Sequence, residues 1–276
     1  TGTVTATIDG NAAELDDLAA TGTAATCAFT ITIDDTATLA QAKSIVAGTT
    51  GSVTYGAKIT DSVANLKAGD TAFADLTTVT ARTTDIAIDI NDAAFSTSNS
   101  TVAAADLSGI GSDTTGTVTV SNAIKIAGTL AECVATLKTD ASKVVAATAL
   151  VAISDAPITS SDANVTSLNN VSGATSGVVT ASFASSVIAR LADLTTAATD
   201  VLTLTVSDSV TITQGNTLVG KTAGNVTFAG VKDAHNNMIT SAAISTNLSN
   251  ILANGGADAL KITVNGTIDD ITADEV

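Results

Sequence analysis

Aromatic side chains are nearly missing from this chain: they make up 2 % of its 276 residues, with no Trp and a single Tyr. Compact cores lean on bulky rings for buried area, so one thick globular core is disfavoured. Bases are scarce as well. Eleven Lys and Arg stand against twenty-seven Asp and Glu, a formal net charge of −16. A field of that sign repels phosphate backbones and anionic lipid surfaces, which argues against nucleic-acid and membrane-surface roles. It favours solubility and weak association with divalent cations. The single histidine, His235, rules out every His-rich metal motif. The two cysteines cannot decide a redox compartment. Cys27 precedes the apolar run AFTITI and Cys133 lies in the helical pattern TLAECVATLK, so both read as small buried hydrophobes. No stretch approaches the roughly 18 uninterrupted apolar residues of a membrane span. The chain opens at Thr1 without Met or signal peptide, which reads as a processed or excised piece.

What is abundant is Ala, Val, Thr and Ser, and it is arranged in copies. TTGSVTY (49–55) returns as TTGTVTV (114–120), TSGVVTA (175–181) and TAGNVTF (222–228), and TGTVTAT opens the chain. The turn glycines Gly2, Gly51, Gly116, Gly177 and Gly224 recur at uneven but comparable intervals. A second phrase falls between them: FTITIDD (29–35), IAIDIND (86–92), LVAISDA (150–156), LTLTVSDS (202–209) and LKITVNG (260–266). Each alternates apolar and polar residues, and all but the last end in an acidic turn. Their anchors Ile33, Ile90, Ile153, Val206 and Val264 recur at a similar and more even spacing.

Between each turn and the next such strand lies a helical pattern with i, i+3, i+4 apolar spacing: 12–20, 61–76, 128–138, 185–194 and 242–253. Gly69 weakens the second. Asp61, Thr129, Ser185 or Ser186, and Thr240 or Ser241 stand where N-caps belong. Shorter segments, TLAQAKSIVAG (38–48) and SDANVTSLNNVSG (161–173), then lead back to the next turn. The unit reads as Gly turn, strand, amphipathic helix, second strand and return segment. A helix between strands favours a crossover, hence parallel pairing. Such a unit cannot bury its own apolar faces, but stacked copies can.

The expected fold is therefore a β-rich solenoid with α segments. It forms a single array over 1–276 with coils near 1–48, 49–113, 114–174, 175–221 and 222–276, equivalent anchors forming one ladder. In this reading glycine supplies the backbone conformation of each tight entry. Tandem β-sandwiches and a mixed α/β domain are the alternatives; five amphipathic segments and the lack of a core Trp weigh against sandwiches.

The phrases TLAQAKSIVAGTTGSVTYGAKITDSVANL (38–66) and SDANVTSLNNVSGATSGVVTASFASSVIARLADLTTAATDVLTLTVSD (161–208) resemble those of secreted bacterial tandem-repeat surface proteins, the giant arrays of surface layers, sheaths, filaments and adhesins. That resemblance implies an extracellular location and supplies no catalytic residues. The Ca²⁺-binding nonapeptide GGxGxD common among such secreted proteins is missing.

Little else invites chemistry. His235 with Asp233 nearby lacks a nucleophile tied to it and reads as an exposed loop histidine. GNTLVGKT (215–222) matches the Walker A spacing at Gly215, Gly220, Lys221 and Thr222, but a strand, NVTFAGV, follows where a helix is needed. Nothing singles out one of the carboxylate pairs Asp16/Asp17, Asp34/Asp35 and Asp269/Asp270, and the chain lacks aromatic platforms, so a polysaccharide-acting enzyme is disfavoured. The strand-end acids Asp35, Asp92, Asp155 and Asp208 would align into a row, held by helix capping or solvation, with weak Ca²⁺ binding as the alternative. Thr3/Thr5/Thr7, Thr30/Thr32 and Thr203/Thr205 raise an ice-binding alternative, which uneven coil lengths disfavour. Asn99, Asn164, Asn170, Asn225, Asn247 and Asn265 fit N-x-[ST], as expected in so Ser/Thr-rich a chain.

The sequence thus points to a non-enzymatic structural repeat segment of a surface layer, sheath or self-assembling filament. An adhesin stalk or glycan-binding fibre is the alternative. No cofactor is expected besides that Ca²⁺. The expected partners are the chain itself, stacking head to tail through Val4, Ile8, Ile262 and Val264, or neighbouring repeats of a longer chain, and cell-surface glycans.

Overall fold

The computed structural model describes residues 3–18, 27–67, 73–83, 85–97, 101–240, 243–254 and 260–265. Gly2, Gly69, Asn99, Ser241, Asp269 and Asp270 lie outside them. The chain divides into two compact units, Thr1–Ala127 with Glu132–Leu150, and Gly128–Ala131 with Val151–Val276.

The first unit holds a three-stranded sheet, Val4–Gly10, Cys27–Ile33 and Val53–Tyr55, and a four-stranded sheet, Ile59–Asp61, Ile88–Ile90, Val118–Val120 and Val144–Val145. Val102–Ala103 pairs with the Lys125–Gly128 strand. In the second unit Val151 and Ala152 pair with Val179–Ser182, followed in order by Val201–Val210, Val226–Ala234 and Ile262–Asn265. All of these pairings are parallel; one short antiparallel pair, Ile239–Thr240 with Ala243–Ile244, joins them. The architecture is mixed α/β with mostly parallel strands. Among the described residues no helix is long and apolar enough to cross a membrane.

Parallel partners lie much closer in sequence than successive copies of a phrase do, from the short step Thr180↔Val201 to the longer Val231↔Ile262. That step is about half the spacing of the repeated phrases, and it corrects the expected ladder of equivalent anchors. Ile33 pairs with Gly10 and Tyr55, Ile90 with Asp61 and Val120, Val206 with Phe228, and Val264 with Asp233. Across Val151–Asn265 the strands of the second phrase and the Gly-turn strands alternate as neighbours. The physical reason lies in the return segments. TLAQAKSIVAG and SDANVTSLNNVSG contain full helices, Leu39–Ala47 and Asp162–Ser172, so each completes the same strand-to-helix excursion as the segments with the main helical pattern. Helices Ala104–Ser112 and Ile212–Val219 add further excursions that the apolar spacing did not single out.

The predicted helices are found in shortened form. The 12–20 pattern becomes Ala12–Leu15 plus a 3₁₀ turn at Asp16–Leu18, and 61–76 yields Val63–Lys67 and the start of Ala74–Thr80. Leu130–Lys138, Ile188–Leu191 and Thr246–Asn254 occupy the other three. Thr38 and Thr211 open their helices with reciprocal capping boxes to Gln41 and Gln214. Inside each sheet the inward column is aliphatic: Ile31 and Ile33, Ile59, Ile88, Ile90 and Val118, or Leu202, Leu204 and Val226, each at most 1 % exposed. The core is thin and aliphatic, as the missing rings imply, with Phe73, Phe183 and Phe228 its buried aromatics.

Candidate functional site

Two constellations recur along the chain, and they absorb most of the residues the sequence singles out. The first is built on strand-end aspartates. Asp35 accepts a hydrogen bond from the amide of Ala12 at 2.7 Å, Asp92 from Val63 at 2.7 Å, Asp155 from Leu130 at 2.5 Å and Asp208 from Ile188 at 2.8 Å. Asp61 and Asp233 do the same for Leu39 at 3.1 Å and Ile212 at 2.9 Å. Each acceptor sits 20 to 29 residues after its donor, and every donor is the first residue of a helix.

One geometric rule covers the set. Where residues i and j pair in a parallel ladder, the aspartate at j+2 takes the amide of residue i+2. Gly10↔Ile33 gives Ala12 and Asp35, Asp61↔Ile90 gives Val63 and Asp92, and Val210↔Val231 gives Ile212 and Asp233. The carboxylate thus extends the ladder by one rung where the earlier chain leaves the sheet for a helix. It satisfies an amide that has no partner within that helix and sets a negative charge at the positive helix end.

Asp61 and Asp233 are built alike. One oxygen of Asp61 takes the Ser62 amide and the Asn65 side chain, while Asp233 takes the Ala234 amide and the Asn237 side chain. Burial pushes Asp233 up, but its hydrogen bonds from Asn237, Ile212 and Ala234 outweigh that and hold the carboxyl below its ordinary value. The sequence alone places Asp61 as a local cap and Asp233 beside His235. The φ-x-D ending they share with the other four strands, in IxD or VxD form, was the available signal.

The second constellation is the T-x-G turn. Thr49, Thr114, Thr175 and Thr222 each accept the amide of the glycine two residues on, at 2.8 to 3.0 Å. Thr49 donates its hydroxyl to the carbonyl of Phe29, Thr114 to that of Ile86 and Thr222 to that of Asp200. The glycine itself is pressed against the preceding strand. A Cβ on Gly51, Gly116 or Gly224 would sit closer than 3.0 Å to the carbonyl of Phe29, Ile86 or Leu202. None of the three has a left-handed backbone, so close approach rather than unusual φ requires glycine there. This accounts for the copying of the phrase at 49–55, 114–120 and 222–228, where each copy is a contact point with the preceding strand.

The remaining candidates have structural positions too. GNTLVGKT lies on the helix Ile212–Val219 and its end, not on a loop before a helix. Gly215 packs against Ile251, Gly220 ends the helix, Lys221 donates to the carbonyls of Ala192 and Leu194, and Thr222 forms the turn contact just described. His235 is 9 % exposed, which corrects its reading as an exposed loop residue. It opens the short helix His235–Met238 at the position that Val63 holds after Asp61, so the fold turns it inward. Cys27 and Cys133 are free and buried.

Asp16 and Asp17 lie in the Asp16–Leu18 turn, and Asp34 is exposed beside the engaged Asp35. Among the described residues no three His, Cys, Asp or Glu side chains group as metal ligands. Asp35, Asp92, Asp155 and Asp208 each engage the first amide of a different helix. An open groove of 510 Å³ is lined by Thr38, Leu39, Asp61, Asn65 and Asp75 among others, and its acids are already engaged, Asp61 as above and Asp75 with Lys43. Ion pairs Lys58–Asp89, Lys67–Asp106 and Arg190–Asp162 link residues 28 to 39 apart. Of these the exposed pair, Arg190–Asp162, adds little stability. No family model matches the chain, and no curated protein or solved structure matches it either.

Proposed function

We propose that this chain is a non-enzymatic extracellular structural protein, a repeat segment of a surface layer, sheath or self-assembling filament. Its coils, each one strand-to-strand step long, stack as a β-rich solenoid with helical excursions. The observation that carries the reading is the recurrence of one contact scheme. Six aspartates and four T-x-G turns engage backbone at different levels of the chain. Those six carboxylates and the hydroxyls of Thr49, Thr114 and Thr222 tie one stretch of backbone to another 20 to 29 residues away. That is the requirement of a load-carrying array, in which each repeat contacts its neighbours. The net charge of −16 suits a hydrated, repulsive outer surface.

Immunogold electron microscopy with antibody against the folded chain tests this on intact source cells. Continuous label over the envelope or sheath is the expected result. Label appearing only after lysis overturns it, and label confined to the shafts of separate fibres with distinct tips favours the adhesin-stalk reading.

A further inference from the structure

The hydrogen bonds of the parallel ladders follow a strict alternation. Inward residues send their amides forward: Ile31 to Ser52, Ile88 to Thr117, Val118 to Lys143, Leu204 to Asn225 and Val231 to Lys261. Their carbonyls face forward too, receiving Asp34 on Gly10, Asn91 on Asp61 and Ser121 on Ile90. The outward residues face back. Several described strands pair on one side only, Val53–Tyr55, Val102–Ala103 and Val144–Val145 included; the first and last of them along the chain are Val4–Gly10, which pairs with Cys27–Ile33 alone, and Ile262–Asn265, which pairs with Val226–Ala234 alone. By the alternation, the amides and carbonyls of Thr5, Thr7 and Asp9 point to the free side of the first. Those of Ile262 and Val264 point to the free side of the last.

The inward columns are unfinished at the same two strands. Val4 is 54 % exposed, Ile262 44 % and Val264 43 %, whereas inward residues of the paired strands are almost fully covered. Ile244 and Leu252, near Ile262–Asn265 in sequence, are exposed as well. Charge differs between the two regions. Residues 1–35 carry six acids and no base; residues 209–254 carry one acid, Asp233, with Lys221, Lys232 and His235, and Lys261 directly precedes the final strand. Acids return at Asp258 and over 269–275, outside the described residues.

We propose that the free side of Ile262–Asn265 pairs, parallel and in register, with the free side of Val4–Gly10 of a second copy of this chain. Ile262 lies over Ala6 and Val264 over Ile8. Continuing the alternation, Ile262 donates to the Thr5 carbonyl, Thr7 donates to the Ile262 carbonyl, Val264 donates to the Thr7 carbonyl and Asp9 donates to the Val264 carbonyl. The contact joins unlike surfaces, so it propagates as an open chain unless it closes into a ring. It rests on the structural reading above and names that reading's partner and contact.

The test uses the full chain and two substitutions that remove only donors facing the free sides, Thr7→Pro and Val264→Pro; proline is tolerated at such edges. Sedimentation velocity and electron microscopy of the wild type at high concentration should show linear oligomers. Each variant alone should be monomeric, with unchanged circular dichroism. Mixed in equal amounts they should form heterodimers and stop, because each supplies the edge that the other lacks. A wild type that stays monomeric overturns the proposal; that result is expected where flanking segments of a longer chain cover the edges, and it leaves the envelope-label test untouched. Oligomers that persist in either variant overturn it also, as does an inert mixture.

Discussion

Asp61, itself only 6 % exposed, reaches back 22 residues to hold the amide of Leu39 at 3.1 Å. Its other oxygen holds Ser62 and Asn65 at 2.9 and 2.6 Å. Removing the side chain leaves a buried helix amide without its acceptor, which costs about 1–3 kcal/mol for each stranded group. Asp61→Ala should therefore lower unfolding stability by about 3 kcal/mol. Asp61→Asn keeps one acceptor oxygen and should lose about half of that. Urea titration followed by circular dichroism measures both, and equal losses for Ala and Asn would show that packing rather than the contact matters.

Gly51, Gly116 and Gly224 offer a sharper contrast, because each lies under a carbonyl of the preceding strand. Alanine there forces backbone apart and should cost about 2–3 kcal/mol or more. Gly220→Ala is the control: its Cβ would meet nothing closer than 3.5 Å, at the end of a helix. It should change stability by less than about 1 kcal/mol. Thermal melts of the four variants read the difference directly.

The strands and the parallel pairing were legible because apolar alternation is local and a helix between strands forces a crossover. The stacking step was not. Wording recurs at every second strand, Phe29 to Ile33 resembling Ile86 to Ile90, while contact occurs at every strand. A ladder needs only inward apolar residues in register, so Val53 can sit on Ile31 without resembling it beyond that. The aspartate contacts were half visible. Asp35, Asp92, Asp155 and Asp208 stood out as strand ends, but their donors lie 20 to 29 residues away, beyond any local pattern. Asp61 and Asp233 were hidden by nearer explanations, a local cap and a histidine neighbour.

Acid should loosen the second unit through Asp233. Its carboxyl is held below the ordinary value, so the folded state binds its proton less readily than the unfolded chain. The stability it contributes is fully present above the unfolded carboxylate value, about 3.9, and is lost as pH falls through the lower folded value. Asp233→Asn should therefore be less stable than the wild type at neutral pH and approach it as the solution becomes strongly acidic. Melts from neutral pH down to about pH 2 would show the two curves converging; a constant gap would mean that the charge is not what matters.

Calcium gives the last test, since weak Ca²⁺ binding by Asp35, Asp92, Asp155 and Asp208 is the alternative to their role as helix caps. Each already spends a carboxylate oxygen on a helix amide at 2.5 to 2.8 Å, and the four serve four different helices. A cation would find one carboxylate oxygen of each already bonded to an N–H donor, and no group of three acids among the described residues. A site with a Kd of about 0.1 mM in about 1 mM Ca²⁺ would add about 1.4 kcal/mol, which a melt resolves easily. The expected outcome is a melting temperature that is the same in Ca²⁺ and in chelator. Screening of the −16 charge by any salt supplies the control, so Na⁺ at matched ionic strength should reproduce whatever small rise Ca²⁺ gives. A shift that Na⁺ does not reproduce and that Asp92→Asn abolishes would restore the row of aspartates as a cation site.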